Sequence, residues 1–133
     1  MRYLLDTHIV LWAMVNDERL KKEVIDIIND RNNQIYYSSI SPWEIELKHQ
    51  KYPNFKIDAK MFEFLCDQNN LENIRIENKH INELSLINEK YKNVNHHDPF
   101  DKMLLAQAIS ENMILVTHDK RFAGYSSSHI MLV

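Results

Sequence analysis

Glycine is almost missing from this chain: Gly124 is the only one in 133 residues. Loops that cradle phosphate with backbone amides need glycine for close approach, so Walker-type and dinucleotide-binding Rossmann sites are excluded. Cysteine is as scarce, with Cys66 alone. A lone thiol forms no internal disulfide and no multi-cysteine metal site, which sets the expectation of a reducing, cytoplasmic setting. No long apolar run occurs either. The N-terminal "MRYLLDTHIVLW" is interrupted by Asp6 and His8, so it lacks the apolar stretch and cleavage site of a signal peptide, and no segment is suited to spanning a bilayer. Excess positive charge is also absent: 16 Lys and Arg against 19 Asp and Glu leave a formal charge of −3. Any nucleic-acid partner would therefore need local neutralisation of its phosphates.

What is present is ordinary for a globular chain. Hydrophobic residues make up 44% and charged residues 26%, and without linker, repeat or low-complexity block the expectation is one domain over residues 1–133. "RYLL" predicts a strand over 2–5, "QIYYSSI" one over 34–38, "LENIRI" one over 73–76, and "MILVT" and "HIMLV" two more. Helical spacing predicts helices over 18–29, from Ser41 to the "KYPNF" stop, through "DAKMFEFLCDQN", through "NKHINELSLINEKY" with Ile81, Leu84 and Ile87 packing inward, and through "PFDKMLLAQAISEN". "HDKRFAGY" holds a turn or short helix. Strands alternating with helices specify an α/β architecture with a mostly parallel sheet, and right-handed crossovers put helices on both faces. In such sheets ligands bind beyond the carboxyl ends of the strands.

Four acids fall at such places, each with a local explanation of its own. Asp6 follows the first strand and could cap the helix beginning near Ile9. Ser41-Pro42-Trp43-Glu44 matches a capping box, with Ser at the N-cap and Glu three residues on. In "HHDPFDKMLLAQA" either Asp98 or Asp101 could oppose the helix dipole, and Asp119 could cap the "KRF" turn. Jointly the acids say more. Asp6, Glu44, Asp101 and Asp119 all belong to one edge of a parallel sheet, where close carboxylates repel by several kcal/mol even at a moderate dielectric. A divalent cation relieves that repulsion, and oxygen-only ligands favour Mg²⁺ or Mn²⁺ over zinc. The zinc alternative is poorly supported: His96 and His97 are adjacent, so their side chains are expected to diverge, and no HExxH or cysteine pair accompanies them. Trp12, Trp43 and Phe100 read as core or interface aromatics, and Met103, Leu104, Leu105 and Ala108 as the buried stripe of a helix. Lys48 and Lys51 read as solvated surface. Lys102, Lys120 and Arg121 flank the acids and are candidates for holding substrate phosphates.

The segments "YLLDTHIVLW", "SSISPWEIELK", "HHDPFDKMLLAQA" and "ILVTHDKRFAGY", in this order and over nearly the whole chain, resemble the PIN-domain family, specifically the VapC-type toxins of type II toxin–antitoxin pairs. The resemblance implies a three-layer α/β/α sandwich, a Mg²⁺-dependent endoribonuclease in which Mn²⁺ can substitute, an RNA substrate with transfer RNA expected and ribosomal RNA the other candidate, a VapB-like antitoxin that blocks the site, and a homodimer. It assigns catalysis to Asp6, Glu44, Asp101 and Asp119, with metal held by Asp6, Asp101 and Asp119 and by Glu44 directly or through water. Thr117 matches the polar residue before the last acid, and Asp98 belongs to the "HxDPFD" form and supports the ligands from behind. "HQKYPNF" departs from the glycine-containing turn of many relatives and leaves the 49–57 surface unassigned. The chemistry implied is metal-assisted in-line hydrolysis of a phosphodiester, with Glu44 a candidate for accepting the water's proton. Other readings are a PIN-fold nuclease of RNA processing outside a toxin–antitoxin pair and an inactive metal-binding α/β domain. An aspartyl phosphatase would need a second Asp where His8 stands, and a response-regulator receiver needs an Asp after the third strand that "NIRIEN" lacks.

Overall fold

A computed structural model describes all 133 residues. The chain runs through β1 (Arg2–Leu5), α1 (Thr7–Met14), α2 (Lys22–Asn29), β2 (Gln34–Ser38), α3 (Ile40–Lys51), α4 (Ala59–Gln68), β3 (Glu72–Ile74), α5 (Asn78–Lys90), α6 (Pro99–Ser110) and β4 (Ile114–Thr117). A 3-10 turn (Lys120–Gly124) and β5 (Ile130–Leu132) complete it. The five strands form one sheet in the order β3-β2-β1-β4-β5. Every neighbouring pair is parallel, so the expected mostly parallel sheet is wholly parallel, and all five carboxyl ends lie along one edge.

Alternation along the strands divides the core in two. Leu4 and Leu115 point to one face and pack with Ile87 of α5 and with Met103, Leu104, Leu105 and Ala108 of α6. Leu5, Val116, Ile35 and Tyr37 point to the other and meet Ile9, Val10 and Trp12 of α1, Val24 of α2, and Phe62 and Cys66 of α4. The helix α3 crosses between the layers, with Ile40 in the first cluster and Ile45 in the second. Period-two strands and helices on both sides make the three-layer α/β/α sandwich.

Several local expectations shift. The helix expected from residue 18 begins at Lys22, because Asp17 holds both the backbone N–H of Arg19 (2.9 Å) and its guanidinium (2.7 Å) in a turn. Strand β3 starts one residue early and ends at Ile74. On α5, Ile87 is buried as expected, but Ile81 is 47% exposed. Trp12 is buried in the core, whereas Trp43 stays half-exposed and rests on Phe100 with ring centroids 4.7 Å apart. No helix is long and apolar enough to cross a membrane.

Candidate active site

Asp6 is the residue at which β1 becomes α1. Its backbone N–H still belongs to the sheet, donating to the Val116 carbonyl (3.0 Å), while its side chain caps α1 by accepting from the Thr7 N–H (2.7 Å). The helix thus begins at Thr7, two residues before the expected start. The second carboxylate oxygen accepts from the Thr117 hydroxyl at 2.6 Å. That hydroxyl also accepts from the Asp119 N–H (3.1 Å), so Thr117 ties the loop after β4 to the acid after β1. Capping and membership of an acid cluster are one arrangement at Asp6.

Glu44 arrives by a different route from the one its sequence suggests. The helix α3 starts at Ile40, with Ser39 in the N-cap position making no side-chain cap bond. Ser41 lies inside the helix, so the Ser41–Glu44 capping box does not form. Instead the Ser41 hydroxyl sits 2.8 Å from the Thr7 hydroxyl, and Thr7 donates to Glu44 Oε1 at 2.9 Å. A threonine hydroxyl carries one proton, so with Glu44 ionised Ser41 must donate to Thr7. Burial raises the Glu44 carboxyl to about 7; Asp6, Asp101 and Asp98 add to the rise, and the Thr7 hydrogen bond opposes it.

The aspartates of the "HHDPFD" segment divide their roles. Asp98 caps α6, accepting from the N–H groups of Phe100 (2.9 Å) and Asp101 (3.2 Å), with Pro99 at the first helical position. Asp101 is buried and turned inward. Its Oδ2 receives His96 Nε2 at 2.9 Å and Arg121 Nη2 at 3.2 Å. Burial pushes its carboxyl up to about 6, with Asp6 and Asp98 reinforcing and the His96 bond opposing. Asp6 is likewise raised by burial, against the Thr117 and Thr7 hydrogen bonds. Asp119 goes the other way: hydrogen bonds from Arg121 hold it below the usual carboxylate range.

His96 is the residue the sequence did not place. It is fully buried, edge-on to Phe122 (centroids 4.8 Å) and beside Tyr125 (5.6 Å). Facing an ionised carboxylate, Nε2 carries the proton, and Nδ1 is buried without a partner. One ligand atom each from His96, Asp101 and Asp119 lie within 4.8 Å of one another. Adjacency to His97 suggested divergence and no role; the five-residue offset from His96 to Asp101, across a capped helix start, was the available signal. Thr7, which holds Glu44, was also unassigned, and Ser41 was expected only as an N-cap rather than as a partner of Thr7.

The basic candidates separate. Lys102 reaches Asn88 of α5 (3.3 Å), and Lys120 is exposed. Arg121 faces the acids, pairing with Asp119 at 2.6 Å as well as with Asp101.

Asp6, Glu44, Asp101 and Asp119 therefore meet along the carboxyl edge, linked by Thr7, Thr117 and Arg121. The donor set is nearly all carboxylate oxygen with added hydroxyls, Asp6 and Asp101 are buried and Glu44 partly so, all three with raised proton affinity, and one guanidinium pairs directly with the group. Such a set fits a hard divalent cation, which replaces bound protons and offsets the repulsion.

Comparison with known proteins agrees with the fold. A crystal structure of VapBC2 from Rickettsia felis bound to a DNA fragment from their promoter superposes with a TM-score of 0.75 at 20% identity, over 100% of this chain and 98% of that one. VapBC-1 from nontypeable Haemophilus influenzae gives 0.75 at 19%, over 99% and 98%, and a toxin–antitoxin complex from Klebsiella pneumoniae gives 0.64 at 18%, over 97% and 95%. No curated protein sequence matches. The family model of the PIN domain matches residues 3–127. The chain belongs to the PIN-domain family.

Proposed function

We propose that this chain is a divalent-metal-dependent endoribonuclease, the VapC-type toxin of a toxin–antitoxin pair. The observation that carries the reading is the linked carboxylate group: Asp6 tied through Thr117 to Asp119, Glu44 held on Thr7, and Asp101 buried and turned in from the start of α6. Membership of the PIN family supports a nuclease, and the likeness to VapBC and toxin–antitoxin structures supports a toxin with a VapB-like antitoxin.

Asp6, Asp101 and Asp119 would hold Mg²⁺, or Mn²⁺ in its place, with Glu44 direct or through water. When bound, the ion supplies Lewis acidity toward a phosphodiester and toward an attacking water. The chain's own residues do the rest. Thr117 and Thr7 fix the orientations of Asp6 and Glu44, and His96 fixes Asp101. Glu44, with a proton affinity near neutrality, is suited to accept the water's proton. Lys102, Lys120 and Arg121 are the cations nearest in sequence to the acids and serve the RNA backbone. Transfer RNA is the substrate class favoured, the protein acts in the cytoplasm as a single-domain homodimer, and the antitoxin closes the acid edge.

The test is incubation of purified protein with total RNA in Mg²⁺ or Mn²⁺, with and without EDTA. Cleavage that EDTA stops supports the reading; cleavage unaffected by EDTA refutes the metal. Expression of the chain alone should arrest growth, relieved by a small neighbouring gene, and harmless overexpression would remove the toxin assignment while leaving the nuclease.

A further inference from the structure

Arg121 has the position of a rim residue and the contacts of an interior one. It follows Asp119 by two residues and its side chain is 57% exposed, yet the guanidinium turns back onto the acids. Nε lies 3.1 and 3.0 Å from the two Asp119 oxygens, and Nη2 lies 2.6 Å from Asp119 Oδ2 and 3.2 Å from Asp101 Oδ2. Asp101 and Asp119 are the pair that, with His96, bring ligand atoms within 4.8 Å of one another. The guanidinium thus takes up oxygen lone pairs that a metal ion would need.

We propose that Arg121 is a positioning residue with two seats: in the metal-free chain its guanidinium stands in for the divalent cation between Asp101 and Asp119, and metal binding displaces it to the rim, where its fork faces incoming RNA phosphate. This rests on the metal-nuclease reading above. The surroundings permit the exchange without rebuilding the site. Asp119 keeps its orientation when the side chain leaves, because the backbone N–H of Arg121 donates to Asp119 Oδ1 (2.9 Å) and the Asp119 N–H stays on Thr117. Asp101 retains His96. The guanidinium leaves into solvent. A planar fork suits both seats, since carboxylate and phosphate offer the same paired oxygens. Lys120, next along the chain, is exposed and is not among the cations paired with these acids, so it carries similar long-range charge without occupying the place.

Competition for shared oxygens predicts a specific pattern of metal affinity. Mn²⁺ is titrated into metal-free wild type, Arg121→Gln, Arg121→Lys, Lys120→Gln and Asp101→Asn, with free Mn²⁺ read by electron paramagnetic resonance. Arg121→Gln should bind Mn²⁺ at least about fivefold tighter than wild type, within the usual range of coupling between two sites. Lys120→Gln should change affinity by less than about twofold, as a screened exposed charge does. Arg121→Lys, which keeps the charge but loses the fork, should fall between, and it supplies the comparison should Arg121→Gln fail to fold. Without metal Arg121→Gln should melt below wild type, and saturating Mn²⁺ should raise its melting temperature by more than it raises that of wild type. Equal affinity in wild type and Arg121→Gln, or a gain no larger than that of Lys120→Gln, overturns the exchange while leaving the metal reading intact. Failure of wild type and Arg121→Gln alike to bind Mn²⁺ overturns the metal reading and the exchange together, and Asp101→Asn sets the baseline for that result.

Discussion

The acids of this site depend on two threonines and a histidine that the spacing of the acids does not announce. Asp6 is set by Thr117, Glu44 by Thr7, and Asp101 by His96. Glu44 offers the cleanest test. Its carboxyl stands at about 7 in the fold against an ordinary 4.5, so the folded state binds the proton more tightly than the unfolded one. The stability tied to that proton is fully present below about pH 4.5, is lost as pH climbs to about 7, and stays lost above. In EDTA, Glu44→Gln should therefore melt higher than wild type at pH 8 and show no such gain at pH 4.5; an equal change at both pH values would mean that burial does not raise the proton affinity of Glu44. His96→Phe keeps the ring among Phe122 and Tyr125 but removes the donor to Asp101. Loss of a buried bond to a charged group is worth ~1.5–3 kcal/mol, and urea unfolding would measure it. The acids were legible in the sequence because each follows a strand or opens a helix. His96 was not, since its place depends on how an irregular loop turns. Arg121 was named as a candidate for phosphate, but its pairing with Asp101 and Asp119 was not legible, since it depends on a side chain folding back onto its own loop.

At the level of elements, capping and site-building compete for the same residue types, and the structure resolves the competition differently at each helix. Asp98 does cap α6 and leaves Asp101 free to face inward. Ser41 does not cap α3; its hydroxyl serves Thr7, and Ser39 at the N-cap position accepts no cap bond. The "SPWE" pattern matched a local rule, but the helix starts at Ile40, whose N–H donates to the Ser38 hydroxyl (3.1 Å), and Ser41 is left free to turn to Thr7. Asp98→Ala should thus destabilise the protein by ~1 kcal/mol, the usual worth of a lost N-cap, whereas Ser39→Ala should stay within ~0.5 kcal/mol of wild type. Chemical denaturation of the two variants side by side checks the contrast, and an equal loss would contradict the assignment of the caps. Elsewhere the element boundaries were readable where a short apolar run stood between polar residues, as in β1 and β2. They drifted where a turn such as Asp17–Arg19 took over the first residues of an expected helix.

For the whole molecule, the decisive fact is that every strand is parallel. Parallel strands carry all their carboxyl ends to one edge, and two apolar layers fix the sheet between helices. Residues separated by most of the chain, such as Asp6 and Thr117, then become hydrogen-bonded neighbours. This much was legible from the alternation of strands and helices, because a crossover connection has a fixed hand. The core is closely packed around Leu104, fully buried on α6, and Leu104→Ala should lose ~2–5 kcal/mol in thermal or denaturant unfolding. The proposed function has the acids gathered on this edge act together on RNA through a divalent ion. Its most direct measurement is the rate of RNA cleavage in Mn²⁺ by Asp101→Asn beside wild type and Asp98→Asn, all prepared identically. The expected result is a loss of at least ~10²-fold for Asp101→Asn, the scale seen when one electrostatic contributor is removed from an active site, with Asp98→Asn keeping most of the activity. Cleavage by Asp101→Asn at the wild-type rate would contradict the account.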